Sequence, residues 1–575
     1  MLAGILLAVI VVFWLAYRVY GRWMSRVFGI DDRHVVPAEG QYDGVDYLPT
    51  KSQILLGHHF SSIAGAGPIV GPILAGLFFG WIPALLWIVA GSIFVGGVHD
   101  FGSTIASVRH KARSVAELAR KYITSRAYKL FLAFIWLALI YVIVVFMDLT
   151  AATFVDVDMN GSGVAISAII FVGLALIMGY LSFRRGMSIA TGTFVFVPLV
   201  LLAIWIGDVL SVEGGLLPTV AGEEKNTWNV VLLGYCLVAS ITPVWILLQP
   251  RDYLSSWLLY LSVIGAGAGL LIGGLTGAVS VSMTWPALVL PGEVESLGIA
   301  HLGPLFPILF ITVACGACSG FHSIVASGTT AKQISCESDT RRVGYGAMLI
   351  EGVVAVIALA AVMIMPFGAE AFGETPITIY AGGIGEFLGR LGIPRRFGAH
   401  FGLLALSTFL LTTLDTCTRL GRYVVQEAFG WERNEAKSRL LATVITLVLP
   451  AFLVFAKYTD PVSGTLQPAW RAVWPVFGAT NQLLAALALL AVTVWLKRTG
   501  RAWAFAGAPM AFMLVMTMSA LAMLIVQEGP LLIRGIASIL FVLGLLLAVE
   551  AARAFRLQEM GPEPVTLRPA EASGD

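Results

Sequence analysis

Long apolar runs alternate with short polar stretches along most of this chain. A membrane-spanning helix needs roughly 20 apolar residues. By that measure the sequence predicts spans near 2–18, 54–80, 83–107, 129–153, 163–182, 188–207, 228–250, 254–283, 304–332, 343–366, 398–420, 438–456, 466–496, 505–526 and 530–552. Lipid offers no partner for free backbone N–H and C=O groups, so such runs must be helical. The predicted fold class is therefore an all-α polytopic membrane protein with about fifteen transmembrane helices.

The polar positions between the runs orient them. Short cytoplasmic loops collect lysine and arginine. Basic groups stand at Arg18/Arg22/Arg26, Arg109–Lys129, Arg184/Arg185, Arg251, Lys332/Arg341/Arg342, Arg419–Arg439, Lys497/Arg498/Arg501 and Arg553/Arg556, and counting spans in order puts them all on one side. The alternate loops carry Asp156/Asp158, Asp208/Glu213/Glu223/Glu224, Glu293/Glu295, Glu370/Glu374, Asp460 and Glu528. The expectation is an outside N-terminus and an inside C-terminus. Arg390/Arg395/Arg396 is the exception, following an amphipathic piece at 376–392 that reads as re-entrant or interfacial. The first run lacks the basic start and small-residue cleavage site of a signal peptide, so it reads as a retained helix. The segment 555–575 has no apolar periodicity and reads as a disordered cytoplasmic tail.

Composition agrees with this picture. The 575 residues are 58% hydrophobic and 12% charged, against about 25% charged in soluble domains. A net charge of +2 gives no reason to expect a nucleic-acid partner. Nothing in the sequence bears on oligomeric state. Cys315 and Cys318 form a CxxC, but it sits among small residues with no further ligand motif, which favours helix packing over a metal.

Polar and helix-breaking residues within the spans carry the chemistry, because an ionisable group at bilayer depth is costly and lines a cavity or pairs with another. In SQILLGHHFSSIAGAGPIVGPILA, Gly65, Gly67, Pro68, Gly71 and Pro72 interrupt a span. The freed amides around Ser61, Ser62, Ala64, Gly65 and Gly67 suit a carboxylate, as half-helix N-termini do in transporters. Tight glycine packing is the competing reading. His58 and His59 fall near the cytoplasmic end, where one of them is expected to be interfacial. His99 and Asp100 lie inside the next span and point roughly 100° apart, so they need not touch. The histidines of the neighbouring span are candidate partners, and a proton relay and a fixed helix–helix hydrogen bond both fit. Thr242–Pro243 and Gln249–Pro250 suggest a second interrupted helix or a plain proline kink. The 304–332 span holds Ser319, His322, Ser323, Ser327, Thr329 and Thr330, with Ser319 and Ser323 on one face. Asp415 lies among threonines with Arg419 four residues on, so an i,i+4 ion pair competes with a coupling-ion site. Thr480, Asn481 and Gln482 read as interhelical hydrogen bonding.

Six strings, GHHFSSIAGAGPIVGP, GSIFVGGVHDFGSTIASVRH, ACGACSGFHSIVASGTTAKQIS, DTRRVGYGAMLIEG, TTLDTCTRLGRYVVQE and WPVFGATNQLLAALAL, occur in the order seen in the carbon starvation protein A family, and from about residue 20 to 500 the chain resembles that family. The resemblance implies an inner-membrane uptake carrier for peptides or for pyruvate with protons, within the amino-acid–polyamine–organocation superfamily. It also implies a LeuT-type fold of two inverted five-helix repeats. Placed on that fold, the 54–80 span is core helix 1, 228–250 is core helix 6, 304–332 is core helix 8, and core helix 10 carries Asp415. The expected organisation is an extra helix at 1–20, a ten-helix transport core at 54–420, extra helices at 438–552 and the tail.

Together these readings predict a bacterial or archaeal multi-pass transporter, and not an enzyme, for a small carboxylate or short peptide. Ser61, Ser62, Ala64, Gly65, Gly67, Thr242 and Gln249 are the candidate substrate contacts. Coupling falls to His58, His59, His99, Asp100, Ser319, His322, Ser323 and Asp415. The coupling ion is a proton, or alternatively sodium held by helix 1 carbonyls and Ser319, Ser323 or Ser327. No cofactor or metal is expected, and no GxxxxGK[ST] loop points to ATP. A nutrient sensor is the rival from another class, but no soluble output domain supports it.

Overall fold

The computed structural model describes residues 1–156, 160–210, 216–220, 222–277, 282–299, 301–431, 435–459, 466–527, 531–557 and 559–561, with the backbone alone for 472–475. Asp158, Glu213, Asp460 and Glu528 of the acidic loops, and residues 562–575 of the tail, lie outside the described residues. The described chain is helical apart from one short antiparallel pair, Lys457–Thr459 with Leu466–Pro468.

Every predicted span has a helical counterpart. Twelve helices are long and apolar enough to cross a membrane, and the pair Ser52–Ile63 and Gly67–Phe79, bent by 47°, makes up to thirteen. The other two counterparts are Glu224–Ile241 and a segment that breaks into Leu305–Thr312 and Gly320–Val325.

The loops segregate as their charge suggested. At the basic face Arg109 binds Glu337 at 2.9 Å and donates to the Phe28 and Gly29 carbonyls at 2.8 and 2.7 Å. At the opposite face Trp285 donates to the Gly76 carbonyl at 2.9 Å, and Lys225 pairs with Asp148 at 2.8 Å. The exceptional Arg390 and Arg395 both pair with Glu386, at 2.7 and 3.0 Å. Their helix, Pro376–Gly389, buries Tyr380, Ile384 and Phe387 against Gly346–Met363, Leu248–Thr276 and Arg395–Phe429. It is packed inside protein, not laid flat on the interface.

Two breaks shape the interior. The first falls at Ala64–Ala66, where Pro68 in the first turn of the next half-helix has no N–H to continue the ladder. The second spans Val313–Ser319 and turns on Gly316 at φ +86°, a conformation that glycine alone adopts readily. The breaks press together, since a Cβ on Gly71 would lie 2.6 Å from the Thr312 carbonyl oxygen. Three π-helical turns, Ser92–Gly96, Ala326–Thr330 and Arg341–Tyr345, adjoin this region; such turns are frequent at functional sites.

The second interrupted helix is therefore not where the prolines suggested. Glu224–Ile241 ends at Thr242, which is extended, and Leu248 opens a 29-residue helix to Thr276. Val244 N–H bonds the Val45 carbonyl at the basic face, while Gly274 lies against Ala3 at the opposite one. Thr242–Leu247 is thus a reversal between two spans. Pro250 sits in the first turn of the second, where its missing N–H is an orphan anyway.

Candidate functional site: buried ion clusters around the broken helices

Two clusters of ionisable side chains lie beside the first broken helix, their histidine, acidic and arginine members fully buried and Tyr235 half-buried. The one nearer the basic face joins four helices. His58 donates Nδ1–H to Asp252 Oδ2 at 2.5 Å, and Arg251 binds the other oxygen of Asp252 through Nε at 3.0 Å and through Nη2. Arg251 Nη1 reaches Asp415 Oδ2 and donates to Tyr235 Oη at 2.7 Å, while Tyr235 donates to Asp415 at 2.8 Å. Ser61 donates to the Asp252 carbonyl at 2.9 Å. With His58 neutral, two carboxylates and one guanidinium leave one negative charge, and a single proton on His58 cancels it.

The second cluster lies deeper. His322 donates Nδ1–H to Asp100 Oδ2 at 2.9 Å, and His99 donates Nδ1–H to Asp100 Oδ1 at 2.7 Å. Glu351, on Gly346–Met363, brings Oε2 to 3.4 Å from His322 Nε2. His59 Nδ1 lies 2.9 Å from Thr330 Oγ1 in the adjoining π turn. Asn481 accepts from Phe321 N–H at 3.0 Å and pairs with Ser319 Oγ at 3.1 Å, satisfying the start of the Gly320–Val325 half-helix. Asn481 belongs to Ala469–Arg498, which the sequence placed among the extra helices beyond residue 438. This helix reaches the site.

Several expectations change here. His58 and His59 are both fully buried within the protein. His99 and Asp100 do touch, because the imidazole is long enough to lie along its neighbour's carboxylate. The partner of Asp100 is His322, not a histidine of the preceding span. Asp415 and Arg419 do not pair: Arg419 binds Asp46 at 2.9 Å and the Ala239 carbonyl at 2.6 Å. Arg422 holds Asp46 from the other side at 3.1 Å. Burial alone would raise the Asp46 carboxyl, but Arg422, Arg419 and Lys332 outweigh it and hold it well below the usual carboxylate range.

The candidate substrate contacts divide. Ser62 offers its carbonyl to Thr413 at 3.3 Å and its hydroxyl lies 3.5 Å from Thr416, while Ala64 and Gly65 form the break beside Ser61. A Cβ on Gly67 would meet Cys315 at 2.4 Å, so this glycine and the CxxC serve close packing. Thr242 and Gln249 lie away from the break. The Thr242 hydroxyl bonds its own helix at Val238, and Gln249 donates to Thr50 and Gln333, both at 2.8 Å. Ser323 and Ser327 donate to carbonyls of their own helix at 2.7 Å. Gln482 donates to the Phe310 carbonyl at 3.0 Å, an interhelical bond as expected, whereas Thr480 bonds its own turn at Val476.

A cavity of about 610 Å³ opens at the basic face, lined by Asp43, Lys111, Arg113, Arg120, Glu427 and Trp431 among others. A second, of about 20 Å³, shares Glu427 with it and runs between Lys332 and Tyr423 to Ser323 and Ser327. That volume holds about one water. Of its lining residues, Lys332 places Nζ 3.1 Å from the centre of the Tyr423 ring.

The family model for carbon starvation protein CstA matches residues 2–372 and 368–520. The chain belongs to the CstA family. Among its curated relatives, the peptide transporter CstA of Escherichia coli K12 is 31% identical over 90% of this chain and 80% of its own length. The peptide transporter CstA of Helicobacter pylori 26695 is 33% identical over 85% of this chain and 76% of its own. The pyruvate/proton symporter BtsT of Escherichia coli K12 is 30% identical over 92% of this chain and 82% of its own. Among solved structures, MhsT in complex with L-phenylalanine covers 87% of this chain and 98% of that one at 13% identity and a TM-score of 0.44. That likeness is too slight to carry a helix-by-helix assignment. The family model and these relatives, not a shared helix numbering, place the chain in the CstA family.

The sequence reading missed Glu351, Arg251, Asp252 and Tyr235. Glu351 stands in plain view, a lone carboxylate at the ninth residue of the apolar run that begins at Val343. Arg251 reads as a loop charge in the sequence because the apolar run of 228–250 ends just before it.

Proposed function

We propose that this chain is a secondary transporter of the bacterial inner membrane that takes up pyruvate or a short peptide with protons. The observation that carries it is the pair of buried ionisable clusters flanking the Ala64–Ala66 break, each holding more carboxylates than fixed cations. Groups so placed bind a proton when the helices close and release it when they part. The named functions of the CstA and BtsT relatives support the same reading. The substrate carboxylate meets the free amides and hydroxyls around Ser61–Gly67, and the basic face is cytoplasmic, with the N-terminus outside and the C-terminus inside. The transport core spans 54–420 in two LeuT-type inverted repeats, the helices of 438–552 flank it, and no cofactor takes part.

The test is reconstitution in liposomes, with uptake of labelled pyruvate and a labelled dipeptide measured with and without a pH gradient. Accumulation of one of them that follows the gradient is the expected result. Uptake indifferent to the gradient, or none for either substrate, refutes the proposal. Sodium coupling is the second reading, favoured by Ser323 and Ser327 lining the narrow passage. Replacing sodium with choline abolishes uptake only on that reading.

A further inference from the structure

Resting on the proton-coupled reading above, we infer that Glu351 and His322 together hold the transported proton, with Asp100 as the group that orients His322. Glu351 is fully buried on Gly346–Met363, about 15 Å along the helix from Arg341 at the basic face. Neither of its carboxylate oxygens makes a hydrogen bond among the described residues. The groups that face it are His322 Nε2 at 3.4 Å and the Gly316 amide of the second break.

The tautomer of His322 decides what lies between them. Its Nδ1–H is committed to Asp100 at 2.9 Å. A neutral imidazole with Nδ1 protonated presents a bare lone pair at Nε2. That lone pair would face an ionised carboxylate in a fully buried site, and both electrostatics and desolvation oppose this. One proton between Nε2 and Oε2 removes the conflict, whichever atom formally carries it. The closed arrangement is therefore the protonated one. Loss of that proton sets Glu351 against His322 and favours separation of Gly346–Met363 from the Gly320–Val325 half-helix.

The surroundings leave this pair few rivals. Gly67–Phe79 and Trp81–Gly91, packed on the same helix, carry no titratable side chain. From Gly97–Arg109 come Asp100 and His99, already paired with each other. From the second break come Cys315 and Cys318 beside His322. On the Ser52–Ile63 half, His59 is engaged with Thr330 and His58 with Asp252. On Leu2–Arg18 the titratable groups are Tyr17, stacked with Tyr345, and Arg18 over Trp14. Glu386 of Pro376–Gly389 is held by Arg390 and Arg395, and Tyr380 of that helix is buried. On Leu248–Thr276, Arg251 and Asp252 belong to the other cluster, Tyr253 meets Thr193 and Tyr260 stacks on Phe60, while Arg341 and Arg342 lie a helix length away at the basic face.

The experiment compares two readouts on the reconstituted full chain, using whichever of labelled pyruvate or dialanine the wild type accumulates. In Glu351→Gln, accumulation driven by a pH gradient is expected to vanish, from about tenfold per pH unit at one proton per substrate to none. Exchange of internal for external substrate at equal pH, which needs no net proton movement, is expected to persist and to lose its pH dependence. His322→Gln should behave alike, whereas Asp100→Asn should shift the pH profile of exchange and retain some gradient response. If Glu351→Gln still accumulates substrate with the wild-type pH profile, or is folded yet loses exchange as well, the inference is overturned. Should the amide variant fail to fold, Glu351→Asp keeps a titratable carboxyl. It must then retain gradient-driven uptake with an altered pH profile, and an unaltered profile overturns the inference. A wild type indifferent to the gradient refutes the proton-coupled reading instead, so the two failures are distinct.

Discussion

Replacing Arg251 by methionine removes the guanidinium that bridges two buried carboxylates while keeping most of its volume. Arg251 contacts Asp252 through Nε and Nη2 and Asp415 through Nη1, and all three side chains are fully buried. After the change each carboxylate keeps one partner, Asp252 the His58 ring at 2.5 Å and Asp415 the Tyr235 hydroxyl at 2.8 Å. Removing one member of a buried pair costs about 3–5 kcal/mol, because an uncompensated charge is left behind. Removing both charges costs far less, since apolar groups of similar size restore packing without the desolvation term. Arg251→Met with Asp415→Leu should therefore be more stable than Arg251→Met alone, with a coupling energy of about 2 kcal/mol. SDS-driven unfolding in mixed micelles, followed by tryptophan fluorescence, gives the four corners of the cycle. Additive effects, or an Arg251→Met loss below about 1 kcal/mol, would refute the view that this cluster ties the four helices together.

Three further outcomes follow from the geometry. Gly71→Ala places a methyl 2.6 Å from the Thr312 carbonyl, a backbone atom that cannot swing aside; it should lose about 1–3 kcal/mol in the same unfolding assay. Asn481→Leu strands the Phe321 amide at the start of a half-helix and leaves the Ser319 hydroxyl only Cys315, costing about 1–3 kcal/mol, whereas Thr480→Val, which loses only a bond within its own turn, should stay near wild type. Asp46 is held below the usual carboxylate range by Arg422, Arg419 and Lys332 against the opposing effect of burial. Its stabilising contribution is thus present above the unfolded value of about 3.9 and lost as pH falls through the folded one. The stability deficit of Asp46→Asn should be constant from neutral pH down to about 5 and shrink below about 4; a deficit that grows on acidification would show that Asp46 acts otherwise.

The reading of the sequence was strongest where the physics is local. Hydropathy over a span-length window located each crossing helix, and Gly65, Gly67 and Pro68 located the first break, because a missing N–H or Cβ acts on its own turn. It was weaker at Thr242–Pro243, where the same proline signal marks a reversal between spans. An apolar run continuous up to Gln249 hides where one helix ends and the next begins. Asp415 and Arg419 show the limit most clearly. Their i,i+4 spacing allowed a pair, yet each finds a partner on another helix, Arg251 and Asp46.

What the sequence by itself determined is the all-helical membrane-spanning class, the side on which basic residues gather, the first break and the family. These follow from composition and spacing within a few turns. Only the tertiary structure decided which base meets which acid. His58 and Asp252 are 194 residues apart, and His322 and Asp100 are 222 apart. Helix periodicity says which side chains leave the same face of one helix, but the rotation and depth of a second helix against it are set by packing. Gly71 against Thr312 and Gly67 against Cys315 are such contacts. Through them two broken helices close on each other, and Glu351 comes to stand opposite His322.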